Sequence, residues 1–182
     1  MFYIIIGSIT FIAFILLIIV IYYNKYQFNI IKVEKAKSNI KINLNRKLEF
    51  IRQTIPIIKK ELKLKEFLNE ANEINEEVLN SFELNKSLTE LSKKLFNVID
   101  DNDKLYKSKP LVDILTEYNK NEIDLVAAIK FYNDTIVDYN HLIVSFPSNI
   151  IRHIFKYKKL EFYTHEKRET FEILKEENEE KK

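Results

Sequence analysis

One spacing repeats without a miss between Leu111 and Phe146. Leu111, Leu115, Tyr118, Glu122, Leu125, Ile129, Tyr132, Ile136, Tyr139, Ile143 and Phe146 stand alternately four and three residues apart, and only Glu122 among them is not apolar or aromatic. A strand would need a period of two. This period of 3.5 returns the same face of an α-helix every two turns. It predicts a straight helix of about 36 residues, packed along its length against near-parallel neighbours. Full burial of a large side chain is worth about 1.5 to 3 kcal/mol, so this seam should form the spine of the core. Pro147 marks its end, because the residue before a proline avoids the α region.

The rest of the chain is equally short of structure breakers. Its one Gly is Gly7, and its three Pro are Pro56, Pro110 and Pro147. Glycine-rich phosphate loops are thereby excluded beyond the first residues, and long helices are favoured over a many-turned β fold. The absence of Cys removes disulfides and thiolate chemistry. A length of 182 residues suits one domain better than two.

The first segment has a different solvent in view. Phe2 to Tyr23, "FYIIIGSITFIAFILLIIVIYY", holds 22 residues without a charge. As a helix it spans about 33 Å, enough for a hydrocarbon core. Tyr3 and the pair Tyr22 and Tyr23 fall where interfacial aromatics belong. A cleaved secretory signal fits poorly: no Lys or Arg precedes the run, it is long for such a segment, and no small-x-small site follows. Gly7 is followed four residues on by Phe11, so the small-residue pairing motif is absent. Lys25, Lys32, Lys35, Lys37 and Lys41 follow the run, and only Met1 precedes it. Positive residues stay inside, so the expected topology is a short outer N-terminus and a cytoplasmic remainder.

A second stripe, Val33, Ala36, Ile40, Leu44, Leu48, Ile51, Ile55, Ile58 and Leu62, predicts a helix with a kink or break at Pro56. Residues 24 to 65 carry 12 Lys or Arg against 3 Glu, a net of +9, and residues 66 to 103 carry 10 Asp or Glu against 3 Lys, a net of −7. Opposite charge gives these stretches a reason to be neighbours, as a matter of specificity more than stability. The basic stretch begins beside the apolar run, where attraction to anionic headgroups accounts for it without nucleic acid. Phe67, Leu68, Ala71, Ile74 and Val78 predict one acidic helix, and Leu84, Leu88, Leu91, Leu95, Val98 and Ile99 another, divided near "NSFELN". "DDNDKLYKSKP", residues 100 to 110, reads as the longest loop. The tail from 164 to 182 is dense in charge and reads as a solvated end, with Phe171, Ile173 and Leu174 able to form one weak turn.

The seam contains the most conspicuous motif. Tyr118, Tyr132 and Tyr139 are each followed by Asn, at Asn119, Asn133 and Asn140, and Phe146 and Pro147 follow the last pair. Each Tyr falls on the core seam and each Asn at its edge. Buried hydroxyls and amides need partners, and such partners fix register between helices. The packing reading is therefore that Tyr fills the core while its hydroxyl and the Asn tie helices together. The competing reading is a ligand or peptide site at the bundle edge.

With these residues, "FYNDTIVDYNHLIVSFPSN" resembles the signature of the LemA family: Tyr-Asn, a short spacer, a second Tyr-Asn, then Phe-Pro and a polar residue. "NEIDLVAAIKFYN" is similar to the run that leads into it, with Asn121, Glu122, Ile123 and Ala127 matching, and "TIPIIKK" stands where the family has its Ile-Pro. The resemblance covers about residues 2 to 163. The chain lacks the Gly-Phe that follows the Phe-Pro segment in the family, and its Tyr-Pro-x-Leu-Lys loop is shortened. The resemblance implies an antiparallel helical bundle on a membrane helix, with no cofactor and no established catalytic activity.

Catalytic groupings are not visible. His141, His153 and His165 are twelve residues apart, too far to share a metal on one helix, and no Cys stands near them. Glu122 lacks the Glu-x-x-His companion of a di-metal bundle, so a carboxylate bonded to Lys or Tyr is expected there. Ser and Thr lack a His-Asp context for nucleophilic catalysis. The expected protein is all-α: a transmembrane helix over 1–23, an antiparallel bundle of about four long helices over 24–163, and the tail. The expected role is a non-enzymatic protein-interaction or scaffold module on the cytoplasmic face of a bacterial membrane. It would need no metal, cofactor or nucleic acid. The alternative is a ligand or lipid sensor with a cavity lined by Tyr118, Tyr132 and Tyr139.

Overall fold

The computed structural model describes residues 1–75 and 79–163. Val78, His165 and the expected turn at Phe171, Ile173 and Leu174 lie outside the described residues. Among those described there are five α-helices and no strand: α1 (Phe2–Leu62), α2 (Glu70–Glu73), α3 (Ser81–Asp100), α4 (Lys109–Val144) and α5 (Ser148–Phe155), with a 3₁₀ turn over Leu105–Lys107. The all-helical class is as expected. Three of the helices among the described residues are long, against an expectation of about four.

The apolar opening of α1 is unburied over its most apolar 18-residue window, whose mean hydropathy is 3.2. Beyond it, Val33, Ala36, Ile40, Leu44, Leu48, Ile51, Ile55 and Ile58 are all buried, which is the predicted stripe. Pro56 does not break the helix, which continues to Leu62. Pro56 is exposed, on the side of the helix turned away from the buried stripe. The helix stops instead at Lys63, whose φ is 53°, with the Leu64 amide donating to the Lys59 carbonyl at 3.0 Å. This is a Schellman stop, normally made by Gly. The same device closes α5, with Lys156 left-handed and the Tyr157 amide donating to Arg152 at 3.0 Å.

Of the acidic helix expected from Phe67 to Val78, the described residues 67–75 hold only the single turn α2. Leu68 is left-handed, at φ 45°, and Arg52 reaches in from α1. Its guanidinium donates to the carbonyls of Ala71 (3.2 Å) and Ile74 (3.0 Å), acceptors that a longer helix would keep for itself. The stretch at 100–110 lies between α3 and α4, as a loop there should, and holds the 3₁₀ turn Leu105–Lys107. Helix α3 begins where the boundary was placed. The Asn80 side chain accepts from the amides of Phe82 and Glu83, both at 3.0 Å, as an N-cap does. Helix α4 is 36 residues long, with Pro110 in its first turn, where a missing N–H costs nothing.

The chain forms two compact units, and α1 and α4 contribute to both. The first contains Met1–Asn39 and Ala128–Phe162, and the second Ile40–Ala127 with Tyr163. Within the first, Tyr26 meets Leu142 and Lys32 meets Asp138. Within the second, Asn43 meets Asn121 and Lys47 meets Glu122. In the first unit the later residue of α1 faces the earlier residue of α4, so the two run antiparallel there. The ion pairs that α1 makes to other helices among the described residues go to α4, not to the acidic stretch.

Candidate functional site

The signature residues divide between the two units. In the second unit Tyr118 is buried, and its hydroxyl donates to the Ser92 Oγ of α3 at 2.7 Å. Ser92 donates in turn to the Leu88 carbonyl, also at 2.7 Å. Phe96 meets the Tyr118 ring edge-on, with centroids 5.2 Å apart. Burial pushes the Tyr118 phenol up to about 12, with the Glu122 charge adding to the rise and the Ser92 bond opposing it.

One turn further along α4, Glu122 is half-buried and meets the Nζ of Lys47, which lies 3.0 Å from each carboxylate oxygen. The Lys47 side chain is only 3% exposed and Glu122 is 35% exposed. Lys47 also stands 5.9 Å from the centre of the Tyr118 ring and 3.5 Å from Thr89 Oγ1. A buried ammonium is tolerated because it is paired and bonded on several sides. Asn121 completes the layer, its amide donating to the Asn43 carbonyl at 3.0 Å. The carboxylate bonded to Lys that the sequence led us to expect is therefore present.

In the first unit the partners are backbone groups. The Tyr132 hydroxyl donates to the Glu161 carbonyl at 3.2 Å. Asn140 makes a two-way pair with Leu160: its Nδ2 donates to the Leu160 carbonyl at 2.8 Å, and its Oδ1 accepts from the Leu160 amide at 2.9 Å. Together they dock the segment after α5 along α4. Tyr139 is buried edge-on against Tyr26, with centroids 6.3 Å apart. Desolvation raises the phenols of Tyr132 and Tyr139.

Tyr26, which the sequence reading passed over, is fully buried and central to this unit. It stacks on Tyr157 at 4.4 Å, and its hydroxyl donates to the Ser148 carbonyl at 3.0 Å. Ser148 in turn donates to the carbonyls of Leu142 and Ser145, closing the bend between α4 and α5. Only the continuation of the Val33–Ala36 spacing backwards could have singled Tyr26 out.

Two signature positions, Asn119 and Phe146, depart from expectation. Asn119 is exposed and ties no helices together. Phe146, the last seam position, is 79% exposed. Because α4 ends at Val144, Phe146 lies off the helix and the heptad phase no longer governs it. Asn133 is half-buried, and Pro147 stands immediately before α5 after a cis Phe146–Pro147 bond. His141 and His153 are both exposed. Among the described residues no group of three or more His, Asp or Glu is placed to hold a metal ion.

These observations define a class: an all-helical bundle built on one long helix whose first third is apolar and unpacked. Residues 36–174 match the model of the LemA family, and the chain belongs to that family. No curated protein and no solved structure matches it significantly. Family membership and the apolar segment together support a membrane-associated helical protein.

Proposed function

We propose that this chain is a membrane-anchored, non-enzymatic helical bundle that binds a protein partner on the cytoplasmic face of a bacterial membrane. The observation that carries the reading is Ile123, which is 71% exposed on α4. It lies in the run leading into the Tyr-Asn signature, among residues whose packing accounts for them, yet packing does not account for it. Val126, three residues on, is exposed on the same face. An exposed apolar pair on a rigid helix suits a partner's hot spot better than it suits water. The five lysines from Lys25 to Lys41, directly after the apolar run, support the cytoplasmic placement.

The ligand-cavity alternative loses its lining. The Tyr118 and Tyr132 hydroxyls are taken by Ser92 and Glu161, Tyr139 packs on Tyr26, and Tyr118 belongs to a different unit from the other two. A photo-crosslinking amino acid at Ile123, expressed in the full chain in bacterial membranes, tests the reading. A discrete protein adduct that is missing from the same probe at exposed Lys93 is expected. Identical adduct patterns at both positions would refute it.

A further inference from the structure

The residues around the exit of the apolar run carry a second apolar face. Both ends of α5 are tied to α1 within one turn of each other: Ser148 to Tyr26 by a hydrogen bond, and Phe155 to Tyr23 by a ring contact at 5.1 Å. The helix therefore stays at the level where the apolar run ends. Headgroups extend about 5 to 8 Å beyond the hydrocarbon core on each side, which is about three to five residues of helix rise. With Tyr23 at the boundary, Tyr26 and the whole of α5 fall inside that layer.

The side of α5 turned away from the unit is apolar. Ile151 and Ser148 are buried, whereas Ile150 (56%), Ile154 (59%) and Phe146 are exposed at steps of four. Phe28 of α1 is also exposed and lines a groove with Phe146, Lys25, Lys32 and Asp138, the last two paired with each other. Cations frame this surface: Arg152, Lys156, Lys158 and Lys159 fall between residues 141 and 160, a stretch with no Asp or Glu. Scattered exposed apolar residues need no explanation, but a phased apolar face with a basic margin is the signature of a helix lying in a membrane interface.

We infer that α5, with Phe146, lies in the headgroup layer of the membrane that α1 enters, Ile150 and Ile154 dipping toward the acyl chains while the surrounding lysines meet anionic lipid. Each such cation near an anionic surface is worth about 1 kcal/mol. This contact would make the bundle's first unit part of the membrane attachment instead of a load at the end of a tether. The inference rests on α1 spanning the bilayer, so its test includes the span.

The chain has no Trp, so one substitution supplies a unique reporter. Ile154→Trp, Leu16→Trp and Val126→Trp would each be made in the full chain, all at exposed sites, and reconstituted into phosphatidylcholine–phosphatidylglycerol vesicles with acyl chains brominated either near the headgroup or near the bilayer centre. The inference predicts a blue-shifted Ile154→Trp emission, quenched mainly by the shallow bromines. Leu16→Trp should be quenched mainly by the deep ones, and Val126→Trp by neither. Water-like, unquenched Ile154→Trp beside a quenched Leu16→Trp would overturn the inference and leave the span standing. Blue-shifted but unquenched Ile154→Trp would mean that protein covers this face, which also overturns it. An unquenched Leu16→Trp would remove the span itself, and the inference with it.

Discussion

The two units use the same motif in different ways. In the second, Tyr118 and Glu122 find side chains on other helices, Ser92 and Lys47. In the first, Tyr132 and Asn140 find the backbone of Glu161 and Leu160. A side-chain partner constrains two positions in the sequence, one at each end of the bond. A backbone partner constrains one, because every residue but proline offers the same amide and carbonyl. Tyr118 and Glu122 are therefore specified by pairs, whereas Tyr132 and Asn140 read the course of the main chain.

The largest effect should come from the residue on which the first unit is built. Tyr26→Ala removes a fully buried ring, its packing on the rings of Tyr139 and Tyr157, and the donor that holds Ser148. Denaturant unfolding in micelles should show a loss of about 3 to 5 kcal/mol. A loss comparable to that of an exposed tyrosine would mean the first unit is held elsewhere.

The pairing logic of the second unit is tested by Glu122→Leu, which strands the buried Lys47 ammonium. Breaking a buried pair costs about 3 to 5 kcal/mol, and the partial exposure of Glu122 lowers the expectation to about 2 to 3 kcal/mol. Lys47→Met combined with Glu122→Leu should recover most of it. A double variant as unstable as the single one would show that the ion pair is not the reason for the loss.

Asn140→Ala should cost about 1 to 3 kcal/mol, because it leaves both the amide and the carbonyl of Leu160 without their partner. Hydrogen exchange at the Leu160 amide should rise in step, and at α3 amides it should not. Asn119→Ala, at an exposed position of the same dipeptide type, should stay within about 0.5 kcal/mol of the parent.

Tyr118→Phe should cost about 1 kcal/mol, since Ser92 keeps its own bond to Leu88. The phenol also gives a pH signature. Its folded pKa of about 12 lies above the ordinary 10.0, so in that interval the unfolded chain releases the proton first. The contribution to stability is complete below pH 10 and is lost as pH rises toward 12. Tyr118→Phe should flatten the alkaline fall in stability, read against tyrosinate absorbance.

Periodicity made the core legible. Every position of the α1 stripe from Val33 to Ile58 is buried, and α4 has its expected length, because long amphipathic helices advertise their buried face at each turn. Stops were harder to read. This chain ends α1 and α5 on left-handed lysines, Lys63 and Lys156, where glycine would have been the signal. The acidic helix failed because Arg52, nineteen residues before Ala71, takes its carbonyls, a competition that no local pattern carries. Lys47 was hidden because a lysine beside an apolar stripe reads as solvated until Glu122 is placed opposite it. The signature was legible as a packing device, whereas its backbone partners at Leu160 and Glu161 were not.

The central claim is that the Tyr-Asn signature holds the fold together. The most direct test is the unfolding free energy of the full chain carrying Tyr118→Phe, Tyr132→Phe and Asn140→Ala together. Three lost interactions at about 1 kcal/mol or more each predict a loss of at least about 3 kcal/mol. A triple variant within about 0.5 kcal/mol of the parent would contradict the account and return these side chains to recognition.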